Sequence, residues 1–315
     1  MLGFLFRRLL ALAATLIVAS FLIFGALYLA PGRPETFLTQ GRSISPETLA
    51  SIRAQYHLDD PFPIRYWDWI TGVVRGDLGQ SLVFRQDVAS LLAPRVGSTL
   101  LLTLYAAVLL VVFGVLVGVV SGLRGGLLDT VALVVTSMGF AVPTFFAALL
   151  LMNLFSVQLG WFPVFGSGEG LADRLWHLTL PAIALAIPSG AVVARITRTS
   201  IMEEKDSEHV ATAIGRGLPR SLVVRRHVLR NALLPVTTIV GVNIAALIAG
   251  ATVVEKAFAL DGLGSALVDA VNQKDFAVVQ AIALALVVAF GLVNLAVDVL
   301  YAWLDPRFKL GGKRS

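Results

Sequence analysis

Six stretches of this chain approach or exceed the length of a membrane crossing without a single charged side chain, and that spacing leaves few folds open. A helix needs about 20 consecutive apolar residues to span the hydrocarbon core, roughly 30 Å at about 1.5 Å per residue, and it is the helix that pairs all backbone groups internally there. The runs are Leu9 to Ala30, Thr99 to Leu123, about residues 130 to 155, Leu178 to Ala194, Ala232 to Val254, and Phe276 to Val297. With 57% hydrophobic and 14% charged residues, the chain reads as an all-α polytopic membrane protein rather than a soluble domain. The first run is longer than a signal-peptide core of about 7 to 15 residues, so it reads as a retained span.

The spans differ in regularity. Pro143 is expected to kink the third; Pro181 and Pro188 interrupt the short fourth, and Pro235 stands at the start of the fifth. Broken helices are tolerated where they face protein or a water-filled path, so spans three to five are the expected translocation path, with Asn153 and Asn243 as its polar groups. Interhelical hydrogen bonding is an alternative role for both asparagines. Asp298, at the end of span six, reads as a helix-packing group or a partner for a loop arginine.

Two polar regions are long. In the first, Gly32 to Gly97, Ser45-Pro46 opens an expected helix that Asp59-Asp60-Pro61 closes. Tyr66, Trp67 and Trp69 suit the headgroup boundary, Gly76 to Gly79 is a turn, and Asp87 caps a short helix expected to end at Pro94. Glu255 to Asp275 reads as a loop. The second long region lies between spans four and five. There Val210, Ala213, Ile214 and Gly217 share one helical face, and Gly217 followed by Pro219 predicts helix, sharp turn, second helix. Arg220, Arg225, Arg226, His227 and Arg230 point to most sides of the second limb, which predicts enclosure by the protein's own helix ends and by lipid phosphates. A solvated charge run is the alternative.

Charge sets the expected orientation. Lys and Arg number 15 over the N-terminus, Arg124, the region from Arg195 to Arg230 and the tail, against 3 in the two short loops of the other side. Gly32 to Gly97 adds 7, balanced by 7 acidic residues, and long loops count less in this rule. Both termini and the insert are therefore expected in the cytoplasm, and the net charge of +5 is a topology signal that excludes nucleic acid as a partner. No phosphate-binding loop and no H-E-x-x-H motif occur, and the chain has no cysteine. Four scattered histidines make no metal pattern. Ionisable groups are missing from mid-depth in spans two, three and five, which disfavours an ion-coupled carrier.

The insert resembles the coupling loop of ATP-binding-cassette importer permeases: Ala211-Thr212-Ala213, three residues, then Gly217. Alanine stands where the family pattern has glutamate, and Leu234-Pro235 lies further on than in sugar importers. Both departures are similar to the dipeptide, oligopeptide and nickel branch, as are His227 to Pro235, Tyr56 to Pro61, Arg75 to Gly79, Gly262-Leu263-Gly264 and Leu304 to Arg307. The resemblance implies a type I importer permease subunit of the B type, non-catalytic and without a cofactor of its own, in the bacterial cytoplasmic membrane. It implies a second homologous permease, two ATPase subunits that bind ATP and magnesium, an external substrate-binding protein, and surrounding lipid.

It further implies a division into residues 1–30 (first span), 31–95 (external segment), 96–302 (transmembrane domain, coupling loop 199–231) and 303–315 (tail). Val210, Ala211, Ala213, Ile214, Gly217, Leu218, Arg230, Asn231 and Pro235 would couple to the ATPase, the apolar face around Val210, Ala213 and Ile214 supplying the burial. Peptides are the expected cargo. Nickel, glutathione or another small solute is the alternative within the family, and a secondary carrier or a membrane enzyme the alternative outside it.

Overall fold

The computed structural model describes residues 2–29, 60–81 and 83–304, and among these every regular element is helical. In chain order they are α1 (Leu2–Tyr28), α2 (Phe62–Val74), α3 (Val88–Arg124), α4 (Gly126–Ala141), α5 (Thr144–Gln158), α6 (Gly170–Lys205), α7 (Glu208–Gly215), α8 (Arg220–Ala257), α9 (Leu263–Gln273) and α10 (Phe276–Leu304). Five are long and apolar enough to cross a membrane, and α4 with α5 makes a sixth, broken span. The helix expected from Ser45 lies outside the described residues.

Several proline readings need correction. Pro94 does not end a short helix: α3 runs through it for 37 residues, opened by Asp87, whose carboxylate accepts from Ser90 N at 3.1 Å. An interior proline costs a helix about 3 kcal/mol, but Val88, Leu91 and Leu92 are buried against α9 and α10, and that burial outweighs the loss. The fourth span is likewise longer than expected. α6 has 36 residues with Pro181 and Pro188 inside it, about 54 Å at 1.5 Å per residue, so it reaches well beyond the hydrocarbon core. α8 starts at Arg220 and passes through Pro235. Only Pro143 breaks its span, and more sharply than a kink: Val142 is extended, as the residue before a proline prefers, and the chain turns through 106° between α4 and α5.

Both long loops carry structure. In α2, Phe62, Tyr66 and Trp69 stack on Phe21 and Phe24 of α1 at centroid distances of 5.4 to 5.7 Å, and Ser20 Oγ lies 2.9 Å from the Tyr66 hydroxyl. Trp67 points out. Glu255 to Asp275, read as a loop, contains α9. Asp298 pairs with Arg8 of α1 at 2.9 Å, an arginine within a helix rather than a loop.

The centre of the bundle is the contact of α3 with α6, the most extensive between any two helices. Gly114, Gly118 and Gly122 form one stripe of α3 and meet Val193, Thr197 and Ile201 of α6. A Cβ on Gly118 would sit 2.6 Å from the Ala194 carbonyl oxygen, so the two backbones approach as closely as side-chain-free packing permits. Gly118→Ala is therefore expected to overpack the seam and cost about 1–3 kcal/mol, read as a lower melting temperature of the purified protein; an unchanged melt would remove the seam from its central place.

Candidate functional site

α6 carries the chain out of the apolar layer to Lys205, whose ammonium donates to the Gly122 and Leu123 carbonyls at the end of α3, 3.1 and 3.4 Å away. The insert folds just beyond. α7 ends in a closed turn in which Gly217 N donates to Ile214 O (2.9 Å) and Leu218 N to Ala213 O (3.3 Å), with Gly217 left-handed at φ +76°. Glycine suits that conformation because an L side chain there crowds the following carbonyl. Pro219 then opens α8, which gives the helix, turn and helix that the spacing predicts.

The face of α7 is divided differently from the expectation. Val210 and Ala213 are buried with Ile201, Val223, Val228 and Ala232, against Val119 and Leu123 of α3. They fasten α7 to the protein's own helix ends and have no surface to give a partner. Ile214 is 61% and Leu218 36% exposed, and Ala211 and Gly217 are also at the surface. The basic limb is not enclosed by the chain: Arg220, Arg225, Arg226 and Arg230 are exposed, because Val223 and Val228 take the inward positions. Pro235 is exposed as well.

A polar clasp holds α7 from the side. Glu204, near the end of α6, lies 2.7 Å from His209 Nε2 and accepts from Asn231 Nδ2 at 2.9 Å, so α6, α7 and α8 meet at one carboxylate. The His209 and His227 rings are 6.4 Å apart. One level deeper, Arg198 of α6 holds Asp129 of α4 through two guanidinium nitrogens, and Ser121 of α3 donates to the same carboxylate. Such a two-pronged pair fixes angle as well as distance. Directed bonds thus link the insert to α6 and α8, and α6 in turn to α3 and α4.

The residues expected along a path are not gathered in one place. Pro143 is exposed at the break between α4 and α5, while Pro181 is buried in the core and Pro188 half-buried. Asn153 is exposed and accepts from Gln158 Nε2 at 2.9 Å; Asn243 donates to Ile239 O of its own helix at 2.8 Å. An apolar cavity of about 440 Å³ between α3, α4 and α6 is lined by Phe113, Val135, Ile183 and Ile187 among others, and by none of these five.

Sequence reading missed Glu255. It is 1% exposed at the end of α8 and accepts from Thr99 Oγ1 (2.6 Å), Gly264 N (2.7 Å) and Ser265 N (3.1 Å), capping α9 and tying it to α3. A carboxylate ending an apolar run just before Gly262-Leu263-Gly264 was the available signal. Glu204, Asp129 and Arg198 gave none, since Glu204 and Asn231 are 27 residues apart in sequence and Asp129 and Arg198 are 69 apart.

Comparison with known proteins agrees along the whole chain. The family described as binding-protein-dependent transport system inner membrane component matches residues 114–310, and the N-terminal part of such membrane components matches residues 1–103. The glutathione transport system permease protein GsiC of Pectobacterium atrosepticum is 38% identical over 98% of this chain and 99% of its own. The protein of the same name from Escherichia coli K12 is 37% identical over the same shares. Among solved structures, the inward-facing methionine ABC transporter MetNI superposes with a TM-score of 0.57 at 18% identity, covering 68% of this chain and 96% of that one. An amino acid ABC transporter with histidines gives 0.52 at 20%, over 69% and 94%. The shared fold is that of an importer permease.

Removing the Glu204 carboxylate should loosen α7 without unfolding it, because Val210 and Ala213 stay buried. Glu204→Ala is expected to raise amide hydrogen exchange over residues 208–215 at least tenfold while leaving α3 and α6 protected; unaltered exchange there would show that apolar burial alone holds α7.

Proposed function

The chain belongs to the binding-protein-dependent transport system inner membrane component family and is the permease subunit of an ABC importer; from that premise we propose that it carries small peptides and receives the ATPase stroke on the exposed edge of α7. The observation that carries the second half is the division of α7. Val210 and Ala213 anchor it from behind, so Ala211, Ile214, Gly217 and Leu218 form a lip of small and apolar side chains that stands clear of the chain. A groove on an ATPase subunit would cover that lip, and a residue of Gly217's size lets the two backbones come close. Asn231 acts through the clasp with Glu204, and Arg230 and Pro235 lie exposed beside it.

Force applied to α7 would pass along α6, one unbroken helix from the insert to the far side, and through Arg198 and Asp129 into α4, which ends at the break before Pro143. That break, Asn153 and Asn243 are the parts of the path that a second, homologous permease would face. Pro181 and Pro188 act instead as packed elements of α6. Two ATPase subunits would hold ATP and magnesium, and this chain would remain non-catalytic.

The relatives at 37% to 38% identity over nearly the whole chain bear the name of a glutathione system, the cargo held as an alternative in the sequence reading; glutathione is itself a tripeptide, and on that ground it supports a small peptide over nickel. Orientation follows from the lysine and arginine bias: insert and both termini in the cytoplasm, residues 31–95 outside a bacterial inner membrane, residues 96–302 as the transmembrane domain and 303–315 as a cytoplasmic tail.

Proteoliposomes holding the assembled importer and its binding protein should accumulate radiolabelled glutathione or dialanine on addition of ATP, and should not accumulate Ni²⁺. In Ile214→Asp, a change at an exposed position, ATP hydrolysis should persist while uptake falls at least tenfold. Nickel uptake without peptide uptake would overturn the cargo, and undiminished uptake by the variant would overturn the lip. Orientation has its own check, since the chain lacks cysteine: an impermeant maleimide should label Leu171→Cys in intact cells and Arg216→Cys only after the membrane is opened.

A further inference from the structure

At the end of the bundle away from the insert, α3, the turn between α8 and α9, and the loop before α6 enclose a cavity of about 430 Å³. That lies within the roughly 300–1,000 Å³ of small-molecule sites. Its walls carry both signs of charge: Arg95 and Arg174 against Glu169, Asp173 and Asp261, with Ser98 between them.

Only some of these charges are paired locally. Arg95 spends one nitrogen on the Leu91 carbonyl at 2.5 Å and reaches Asp261 only at 3.5 Å, and the Asp261 side chain is 80% exposed. Asp173 accepts from Glu169 N at 2.8 Å and lies 3.4 Å from His177. The Glu169 carboxylate and the Arg174 guanidinium are exposed and meet no partner group among the described residues. One unused anion and one unused cation therefore line the same cavity.

The walls are built in advance. Thr99, next to Ser98, donates to buried Glu255, which accepts from Gly264 and Ser265, while Leu263 N donates back to Thr99 Oγ1 at 2.8 Å. This locks α3 to the turn that bears Asp261. The third wall hangs from the same turn: Asp261 N donates to Ser167 Oγ at 3.3 Å and Gly166 N to Phe258 O at 3.4 Å. Gly168, at φ +68°, sits so close that a Cβ would lie 2.8 Å from His177 Nδ1. Binding there would require little ordering of the protein.

We propose that this cavity is an acceptor site on the permease for a zwitterionic solute, with a free carboxylate held by Arg174 and Ser98 and a free ammonium held by Glu169 and Asp261. It deepens the importer reading and rests on it for its place in transport: a peptide released at this mouth is held by both termini before it enters the bundle. Side chains between the termini would go unread, since the remaining charged groups of the lining, Arg95 and Asp173, are already engaged by the Leu91 carbonyl and by Glu169 N.

The test is equilibrium dialysis of radiolabelled dialanine against the assembled importer in nanodiscs, without binding protein. Saturable binding is expected, weakened at least fivefold by Arg174→Gln and by Glu169→Gln, both at exposed side chains. N-acetyl-dialanine amide, which lacks both charges, should not compete against the unaltered complex, a comparison that needs no variant. Absence of saturable binding, equal binding by both variants, or equal competition by the blocked peptide would overturn the proposal. Variants that lose capture of the binding protein, in a complex that never bound dialanine, would make the cavity a protein-docking surface and also overturn it. ATP-driven uptake by the same complex in proteoliposomes with its binding protein separates the two readings: uptake without dialanine binding sinks the site alone, and dialanine binding without uptake sinks the peptide-cargo reading and leaves the site standing.

Discussion

Where α3 and α6 cross, three glycines four residues apart remove the side chains that would otherwise hold the helices apart. In lipid there is little hydrophobic drive to bring helices together, because acyl chains are as apolar as leucine; close backbone contact and directed polar bonds must do it. Gly114, Gly118 and Gly122 supply the first along the C-terminal half of α3, and the second is found at both ends of α3. Lys205 ties the end of α6 to the last carbonyls of α3, and Thr99 near the other end of α3 joins Glu255 and α9. The close-packed seam lies between these two polar junctions.

The two ends are built from similar parts for different purposes. At each, a glutamate from the end of a long helix collects donors from neighbouring elements: Glu204 from Asn231 and His209, Glu255 from Thr99, Gly264 and Ser265. Glu204 is partly exposed, so water competes for its partners and the clasp can open at modest cost. Glu255 is buried, and losing one of its three donors leaves part of its carboxyl group unpaired in the interior. The partly exposed junction thus lies at the insert, and the buried one at the end that carries the mixed-charge cavity.

The prolines were the most misleading letters in the chain. Pro94, Pro181, Pro188 and Pro235 all sit inside continuous helices, and only Pro143 breaks one. A proline removes one backbone bond and adds a steric conflict of a few kcal/mol. Where several buried neighbours enclose the helix, as around Pro181, packing absorbs that cost; α4, with no fully buried residue, has nothing comparable to offset it. Intrinsic preference decided the outcome only where burial was weak.

Much was legible before any coordinates. Charge-free runs located all six spans, since the price of an unpaired or charged group in hydrocarbon applies residue by residue. Gly217 and Pro219 located the turn of the insert, because left-handed backbone is a local demand, and the coupling-loop resemblance agrees with the family to which the chain belongs. The division of α7 was not legible. Val210 and Ile214 are both apolar and one helical turn apart, and which of them faces inward depends on where Val223, Val228 and the ends of α3 lie. Glu204, Asp129 and Glu255 were hidden for the same reason: Asn231, Arg198 and Thr99 lie 27, 69 and 156 residues from them in sequence. Local chemistry set what each segment is; distances between segments, which only the packed bundle sets, decided which side chains face a partner, a solute or one another.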